Sequence, residues 1–423
     1  MNREAQAAGW PESPGSGPLG DGRCATAVHR PATVDELCEA VRSEAASGGA
    51  VYPQGGRSAL DYGGTPARPG AAVDVSGLDQ VVDYPHADMT ITVQAGMTVA
   101  ALQGVLAEKQ QRLLFDVPGG DRATLGGALA TGVCGPRRYG LGRPRDSIIG
   151  VSFVTSNGVE VKGGGRVVKN VAGYDFPKLL TGSLGTLGVI TQATLKVRPL
   201  PGASALIWLR ADRPEQLDAW LAAFHASAVR PVAIEFLNPS AAAIVGEPAG
   251  LDGRSWTLVV GIEDDEKSVA WQVDQFRREV ASEFDVLRDE ATRPIWASLT
   301  AFQVAAPGPL ACTASLRPSR VAAFLAGMPA DRWALQAHAG NGVVRMQGLG
   351  AWTEGEAAEA VSARRAEALR DGGDLIVSRC PAAWKGRIRV WGEPRGSWAL
   401  GRAVKRALDP PGLMNPGRFV GEA

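Results

Sequence analysis

The chain has no excess of either charge. Its 423 residues hold 44 Lys and Arg against 44 Asp and Glu, a formal net charge of zero. Nucleic-acid binders show a basic excess or stripe, so that class is disfavoured. Long apolar runs are also missing. None approaches the ~20 residues that span a bilayer, so no direct membrane span is expected. The first 22 residues lack a charged start followed by an apolar core, and no secretory signal is read there. They contain Pro11, Pro14, Gly15, Ser16, Gly17 and Pro18 and read as a disordered tail. Cysteine is sparse: Cys24, Cys38, Cys134, Cys312 and Cys380. No pair has the CxxC spacing of a zinc or iron–sulfur site. Reduced structural thiols in a cytoplasmic protein are the expectation, with no metal site.

What is present is enough chain for roughly two to three domains at about 150 residues each. Thr33 and Glu36 form a capping box for a helix over Val34–Ala46, which Gly48 and Gly49 end. The apolar run Ala50–Tyr52 reads as a buried strand leading into Pro53-Gln54-Gly55-Gly56-Arg57-Ser58. Further strands are expected at Ala72–Val75 and Thr90–Ala95, and a helix at Val99–Glu108. A hairpin is signalled by alternation about Val151, Phe153 and Thr155, a type I′ turn at Asn157-Gly158, and the return of Val159 and Val161. A strand over Val189–Val197 precedes Pro199 and Pro201.

Beyond residue 200 the pattern changes. Asp212 and Glu215 suggest a second capping box. The order is then strand, helix, strand (Val232–Leu237), strand (Thr257–Ile262), helix (Ser268–Glu283), strand. It recurs from Ala311 to Ser378, with helices near Pro318–Gly327 and Thr353–Asp371. This is the βαββαβ order of ferredoxin-like units, given twice. The expected division is a tail over 1–22, a first domain over 23–200, an α+β domain over 201–400 and a C-terminal segment over 401–423.

Three Gly-rich segments carry the binding signal. Glycines after a strand remove side-chain bulk and allow φ > 0, so successive N–H groups of Gly55, Gly56 and their neighbours can converge on an anion. One such loop alone is equally a surface turn. The second segment, Pro118 to Gly127, offers small residues and helix N-terminal amides. The third, Gly182-Ser183-Leu184-Gly185-Thr186-Leu187-Gly188, mimics the dinucleotide fingerprint but precedes a strand instead of following one. That context disfavours a nicotinamide Rossmann domain, and no GxxxxGK[ST] phosphate loop is present.

In this order, with Arg145-Asp146 and Lys169-Asn170-Val171-Ala172-Gly173-Tyr174-Asp175 between them, the segments resemble the vanillyl-alcohol oxidase (PCMH-type) FAD-binding flavoproteins. The resemblance is closest to the E-type FAD-binding subunits of glycolate oxidase. Asp409-Pro410-Pro411-Gly412-Leu413-Met414-Asn415-Pro416-Gly417-Arg418 resembles the family's C-terminal return to the flavin. The resemblance implies an α+β fold with a two-subdomain FAD-binding domain, non-covalent FAD, and an α+β cap domain. It implies that Pro53, Gly55, Gly56, Arg57, Ser58 and Ala59 cradle the pyrophosphate. Pro118, Gly119, Thr124 and Gly127 would line the ribityl chain and ring. Asp146 and Ile148 would lie close by, Gly188, Val189 and Ile190 would meet the adenine, and Asn415 would reach in from the tail. It further implies a larger catalytic FAD subunit and an iron–sulfur subunit as partners, a small 2-hydroxy acid substrate such as glycolate, and membrane association only through partners.

Oxidising a 2-hydroxy acid takes a base for the hydroxyl proton and a cation for the carboxylate, besides the hydride acceptor. Related catalytic subunits carry a His-x-Gly-Asp-Gly-Asn-x-His run. Here the run is His338-Ala339-Gly340-Asn341-Gly342-Val343-Val344-Arg345. The first His is kept, Asn341 replaces the Asp, and Arg345 stands at the second His. A lone His binds no metal by itself. His338 and Arg345 are therefore the catalytic candidates, and a hydrogen-bonded structural His is the competing reading. Leu184 stands where many related catalytic chains carry Glu. Arg137, Arg138, Arg143 and Arg145 form a basic cluster that reads either as an anion clamp or as a solvated face. A covalent flavin tether at Cys134 is disfavoured, since nothing nearby would lower its thiol pKa. Two rival functions stay open: a self-sufficient oxidoreductase on another 2-hydroxy acid or alcohol, and a non-catalytic structural subunit.

Overall fold

The computed structural model describes residues 17–165, 173–280, 283–305 and 307–420. Two units divide the chain. One runs to Val133 and adds Arg143–Pro199 and the stretch from Glu393 onward; the other holds Cys134–Gly142 and Leu200–Gly392.

In the first unit, Thr33 caps the helix Val34–Ser47 by accepting from Glu36 N, and Gly48 closes it in the left-handed region. The box is offset by one residue: the Glu36 carboxylate takes the N–H of Ala32. The strand Val51–Gln54 pairs in parallel with Ala71–Asp74, which pairs in parallel with Val28–His29. A separate antiparallel sheet has the order Glu160–Gly164, Ile148–Val154, Val189–Lys196, Thr90–Gln94, Val81–Asp83. Leu37 and Val41 of the helix, Val51 and Val73 of the parallel sheet, Val154 and Val189 of the antiparallel one, and Leu413 and Met414 of the tail share one core.

Two local expectations change here. The hairpin of Ile148–Val154 and Glu160–Gly164 has no type I′ turn, because Asn157 is not left-handed and only Gly158 is. Gly158 N donates to Thr155 O and Thr155 N to Val159 O, a three-residue loop whose left-handed position takes the glycine. The disordered tail is also too long as read. Residues 1–16 lie outside the described residues, but Pro18–Gly20 pairs with Arg23–Cys24. Arg418 explains why: its guanidinium donates to Asp21 Oδ2 at 2.6 Å, to Gly64 O at 2.7 Å and to Leu19 O.

The second unit is an eight-stranded sheet. Its order is Phe284–Arg288, Ala203–Ala211, Trp256–Asp264, Ala233–Leu237, Trp333–His338, Val343–Gly348, Ala311–Ser315, Asp374–Arg379, all neighbours antiparallel. Each half runs 4-1-3-2 in its own strand sequence, so both expected βαββαβ copies are present. They meet at a short seam of three residue pairs between Ala233–Leu237 and Trp333–His338. Helices Gln216–Ala226, Glu266–Glu279, Val321–Ala326 and Glu354–Arg370 cover one face through Leu217, Phe276, Phe324 and Val361. On the other face Pro239–Gly246 and Arg293–Ala301 pack Ala241, Trp296 and Leu299 against Trp208, Leu237 and Ala334. The expected Asp212–Glu215 box is absent. The Gln216 carboxamide, one residue later, accepts from Asp212 N and Arg213 N instead.

Of the five cysteines, Cys24 is half-buried and the others are buried. Burial pushes the Cys312 thiol up to about 12 from 9.0. A raised thiol pKa adds stability that is present below the unfolded value and lost as pH rises toward the folded one. Native Cys312 should therefore resist alkylation from neutral pH to beyond pH 9, and its contribution to stability should fade between about 9 and 12. Mass-spectrometric alkylation rates against pH, native and unfolded, check both statements.

Candidate functional site

The three Gly-rich segments of the first unit converge at the end of the strand Val51–Gln54. A Cβ on Gly55 would lie 2.3 Å from Thr124 Oγ1, and one on Gly56 only 1.4 Å from Arg122 O. These glycines are therefore required first by the contact between the first and second loops. Gly185 of the third segment is left-handed, and a Cβ there would sit 3.3 Å from Pro53. Arg57 is also left-handed. Its side chain is tied down by Nε to Gln54 Oε1 at 3.1 Å and Nη2 to Asp74 Oδ2 at 3.0 Å.

What remains open for a ligand differs between loops. Among the described residues no acceptor is seen for the backbone N–H of Gly56, Arg57, Ser58 or Ala59. The second loop offers no open amides at its helix start. Leu125 N donates to Met97 O, Gly126 N to Ala95 O and Gly127 N to Thr124 Oγ1. Every amide of that helix start is already used by the protein, so none of these three N–H groups is left for an anion. The third loop contributes Ser183, for whose buried hydroxyl no partner is seen among the described residues. Open amides in the first loop and an open buried hydroxyl in the third fit a polyoxygen ligand such as a pyrophosphate, since buried polar groups are normally satisfied.

The other sequence-predicted residues fall as follows. Pro118 is buried and Gly119 is left-handed in the second loop. Asp146 caps its own short helix by accepting from Arg143 N at 2.9 Å. Burial raises its carboxyl, but the hydrogen bonds and charge of Arg143 outweigh that and leave it below the usual range. Ile148 is buried opposite Leu195. Gly188 is left-handed under Phe153, and Val189 and Ile190 pair with Val154 and Phe153. Pairing with Thr90–Gln94 begins only at Gln192, so the opposite backbone edge of Val189 and Ile190 carries no ladder. Asn415 is held by its N–H to Val51 O and by Nδ2 to Leu184 O at 2.6 Å. Residues 166–172, with most of the Lys169–Asp175 string, lie outside the described residues.

The tail that carries Asn415 is fastened by one buried pair. Asp409 accepts from Leu413 N and Met414 N and from Lys405 Nζ at 2.6 Å. Lys405 Nζ also donates to Met414 O and Thr186 O, both at 2.7 Å.

In the second unit, the expected basic cluster is divided. Arg137 and Arg138 belong to this unit and Arg143 and Arg145 to the first. Arg137 pairs with Glu263 at 2.8 Å and stacks on Trp296 with its Cζ 3.7 Å from the ring centre, which makes it a strut. Cys134 is buried with its Sγ 3.7 Å from Gly142 O. His338 and Arg345 share the sheet face opposite the four-helix layer. Val343 opposes His338 and Gln336 opposes Arg345, so the two candidates are diagonal neighbours, about 7–8 Å apart at that spacing. Arg345 Nη1 donates to Thr313 Oγ1 at 2.9 Å. His338 is 3% exposed, and its Nδ1 lies 2.7 and 2.9 Å from the two oxygens of Glu235. Among the described residues no partner is seen for its Nε2.

His338 is thus paired, and sequence reasoning missed the partner. Glu235 left one legible sign: it is a carboxylate inside the apolar strand Ala233–Leu237. Ser183 and Gln336 left none. From the tail lock, Asp409→Ala should cost roughly 3–5 kcal/mol, since it strands a buried cation and two amides. Urea unfolding followed together with flavin release on gel filtration checks this, and both should shift.

Residues 25–164 match the model of an FAD binding domain, and residues 393–419 that of the C-terminal domain of FAD linked oxidases. D-2-hydroxyglutarate dehydrogenase of Xanthomonas citri pv. viticola is 34% identical over 217 residues, which is 51% of this chain and 45% of that protein. The glycolate oxidase subunit GlcE of Escherichia coli K12 is 39% identical over 136 residues, 32% of this chain and 39% of that protein. The chain spans less than half the length of these curated relatives. A solved alkyldihydroxyacetonephosphate synthase matches with a TM-score of 0.65 at 18% identity, over 93% of this chain and 77% of that one, which is a likeness of fold alone. The convergent loops, the tail that returns to them and the two matched regions agree: the chain belongs to the PCMH-type FAD-linked oxidases, and FAD is its cofactor.

Proposed function

We propose that the chain is the FAD-binding subunit of a glycolate oxidase complex, oxidising glycolate to glyoxylate with a larger catalytic FAD subunit and an iron–sulfur subunit. The observation that carries the 2-hydroxy acid chemistry is the pairing of His338 and Arg345 as diagonal neighbours on one sheet face. Its 39% identity with a GlcE subunit supports glycolate over other members of the class.

The residues divide the work by chemistry. Gly56, Arg57, Ser58 and Ala59 offer backbone donors to the pyrophosphate, and the Ser183 hydroxyl offers one more polar contact. Bound FAD supplies a hydride acceptor. Arg345 is a cation for the substrate carboxylate, which a guanidinium can meet with two parallel hydrogen bonds. His338 accepts the hydroxyl proton at Nε2. Among the described residues no group of His, Cys, Asp and Glu side chains could hold a metal. The five cysteines lack cluster spacing, and an iron–sulfur partner would receive the electrons.

The flavin absorbance of the chain co-expressed with its partners should bleach when glycolate is added under nitrogen. Arg345→Lys should raise the KM for glycolate roughly 10- to 100-fold, the worth of a charge-assisted hydrogen bond. Turnover by the isolated chain with a dye acceptor would favour a self-sufficient oxidoreductase. Stoichiometric flavin that no 2-hydroxy acid reduces in the whole complex would leave a structural subunit.

A further inference from the structure

The seam between the two βαββαβ copies is short, three residue pairs, and it buries a carboxylate. Glu235 is wholly inaccessible and stands directly across the strand pair from His338. Burying such a pair contributes little to stability, because the loss of hydration offsets the attraction; apolar residues of like volume serve at least as well. We infer that Glu235 is a positioning residue, which fixes His338 in the tautomer whose Nε2 can take a substrate hydroxyl proton. This rests on the 2-hydroxy acid reading for the substrate, and on the second unit alone for the geometry.

An ionised carboxylate only accepts hydrogen bonds. With Oε1 and Oε2 of Glu235 at 2.7 and 2.9 Å from Nδ1, the proton of a neutral His338 belongs on Nδ1. The lone pair is then on Nε2, the nitrogen a base must present. A third side chain locks the carboxylate. Gln336 Nε2 donates to Glu235 Oε2 at 2.8 Å and to Leu299 O at 3.1 Å. Turning this amide over would set its oxygen against two acceptors, so Gln336 stays a donor. The chain Leu299 O, Gln336, Glu235, His338 therefore runs in one direction.

The direction makes an isosteric test possible. In Glu235→Gln the new amide must turn its oxygen to Gln336, which only donates. Its NH2 then faces His338 Nδ1. That drives the imidazole proton to Nε2 and removes the base without changing shape.

The experiment uses the full chain labelled with 15N-histidine, with His338 assigned by its loss in His338→Gln. At neutral pH the wild type is expected to show a protonated Nδ1 and an unprotonated Nε2, and Glu235→Gln the reverse. Flavin reduction by glycolate in the complex should then slow 10²–10⁴-fold, as for loss of a general base. Substrate affinity should be unchanged, and Glu235→Asp should recover part of the rate. A wild-type His338 with its proton on Nε2, or on both nitrogens, overturns the inference, as does Glu235→Gln with unaltered tautomer and rate. If Glu235→Gln fails to fold, the wild-type spectrum decides alone. If no 2-hydroxy acid reduces the flavin, the functional reading fails while the tautomer measurement still decides this one.

Discussion

The carboxylate of Asp409 is the constraint on which the first unit depends. It turns the chain back on itself by taking the amides of Leu413 and Met414, and it holds Lys405 against the third Gly-rich loop. Once turned, the tail lays Leu413 and Met414 into the core beside Val51, and Asn415 ties that strand to Leu184. A buried pair of this kind is strongly destabilising to break, although it is only modestly stabilising to form. Its work is to set position. Without it, the loops at the end of Val51–Gln54 would lose their common anchor.

That anchor explains why the glycines matter. Gly55 and Gly56 bring the first loop against Thr124 and Arg122 with no room for a side chain. The second loop spends its helix-start amides on Met97, Ala95 and Thr124. The first loop is thereby propped from behind, and its own amides stay unpaired. The two loops thus divide: the second is structural, and the first is propped by it with its amides presented. Reading each Gly-rich run as a separate phosphate cradle conflates the two.

The second unit shows the same economy at its seam. Two βαββαβ sheets join edge to edge through three residue pairs, and one of those pairs is Glu235 with His338. Because alternate residues of a strand face opposite sides, the register that buries Leu335 and Ala337 under helices turns Gln336 and His338 to the other face. Arg345 and Thr313 come to the same face from the neighbouring strands by the same rule.

By itself the sequence determined the local order of elements and the family. The helix at Val34, the strand before Gly55, the third Gly-rich run ahead of a strand and the doubled βαββαβ pattern are all short-range signals, set by caps, turns and hydrophobic period. Tertiary structure decided the rest, because it turns on which groups meet over long separations. Lys405 of the tail lock reaches Thr186, 219 positions away, and Glu235 and His338 lie 103 apart. Whether the amides of Gly56 to Ala59 or those of Leu125 to Gly127 face a ligand depended on which carbonyls folded against them. The Gly-rich loops announced a flavin protein; only packing separated the loop whose amides stay open from the loop that supports it.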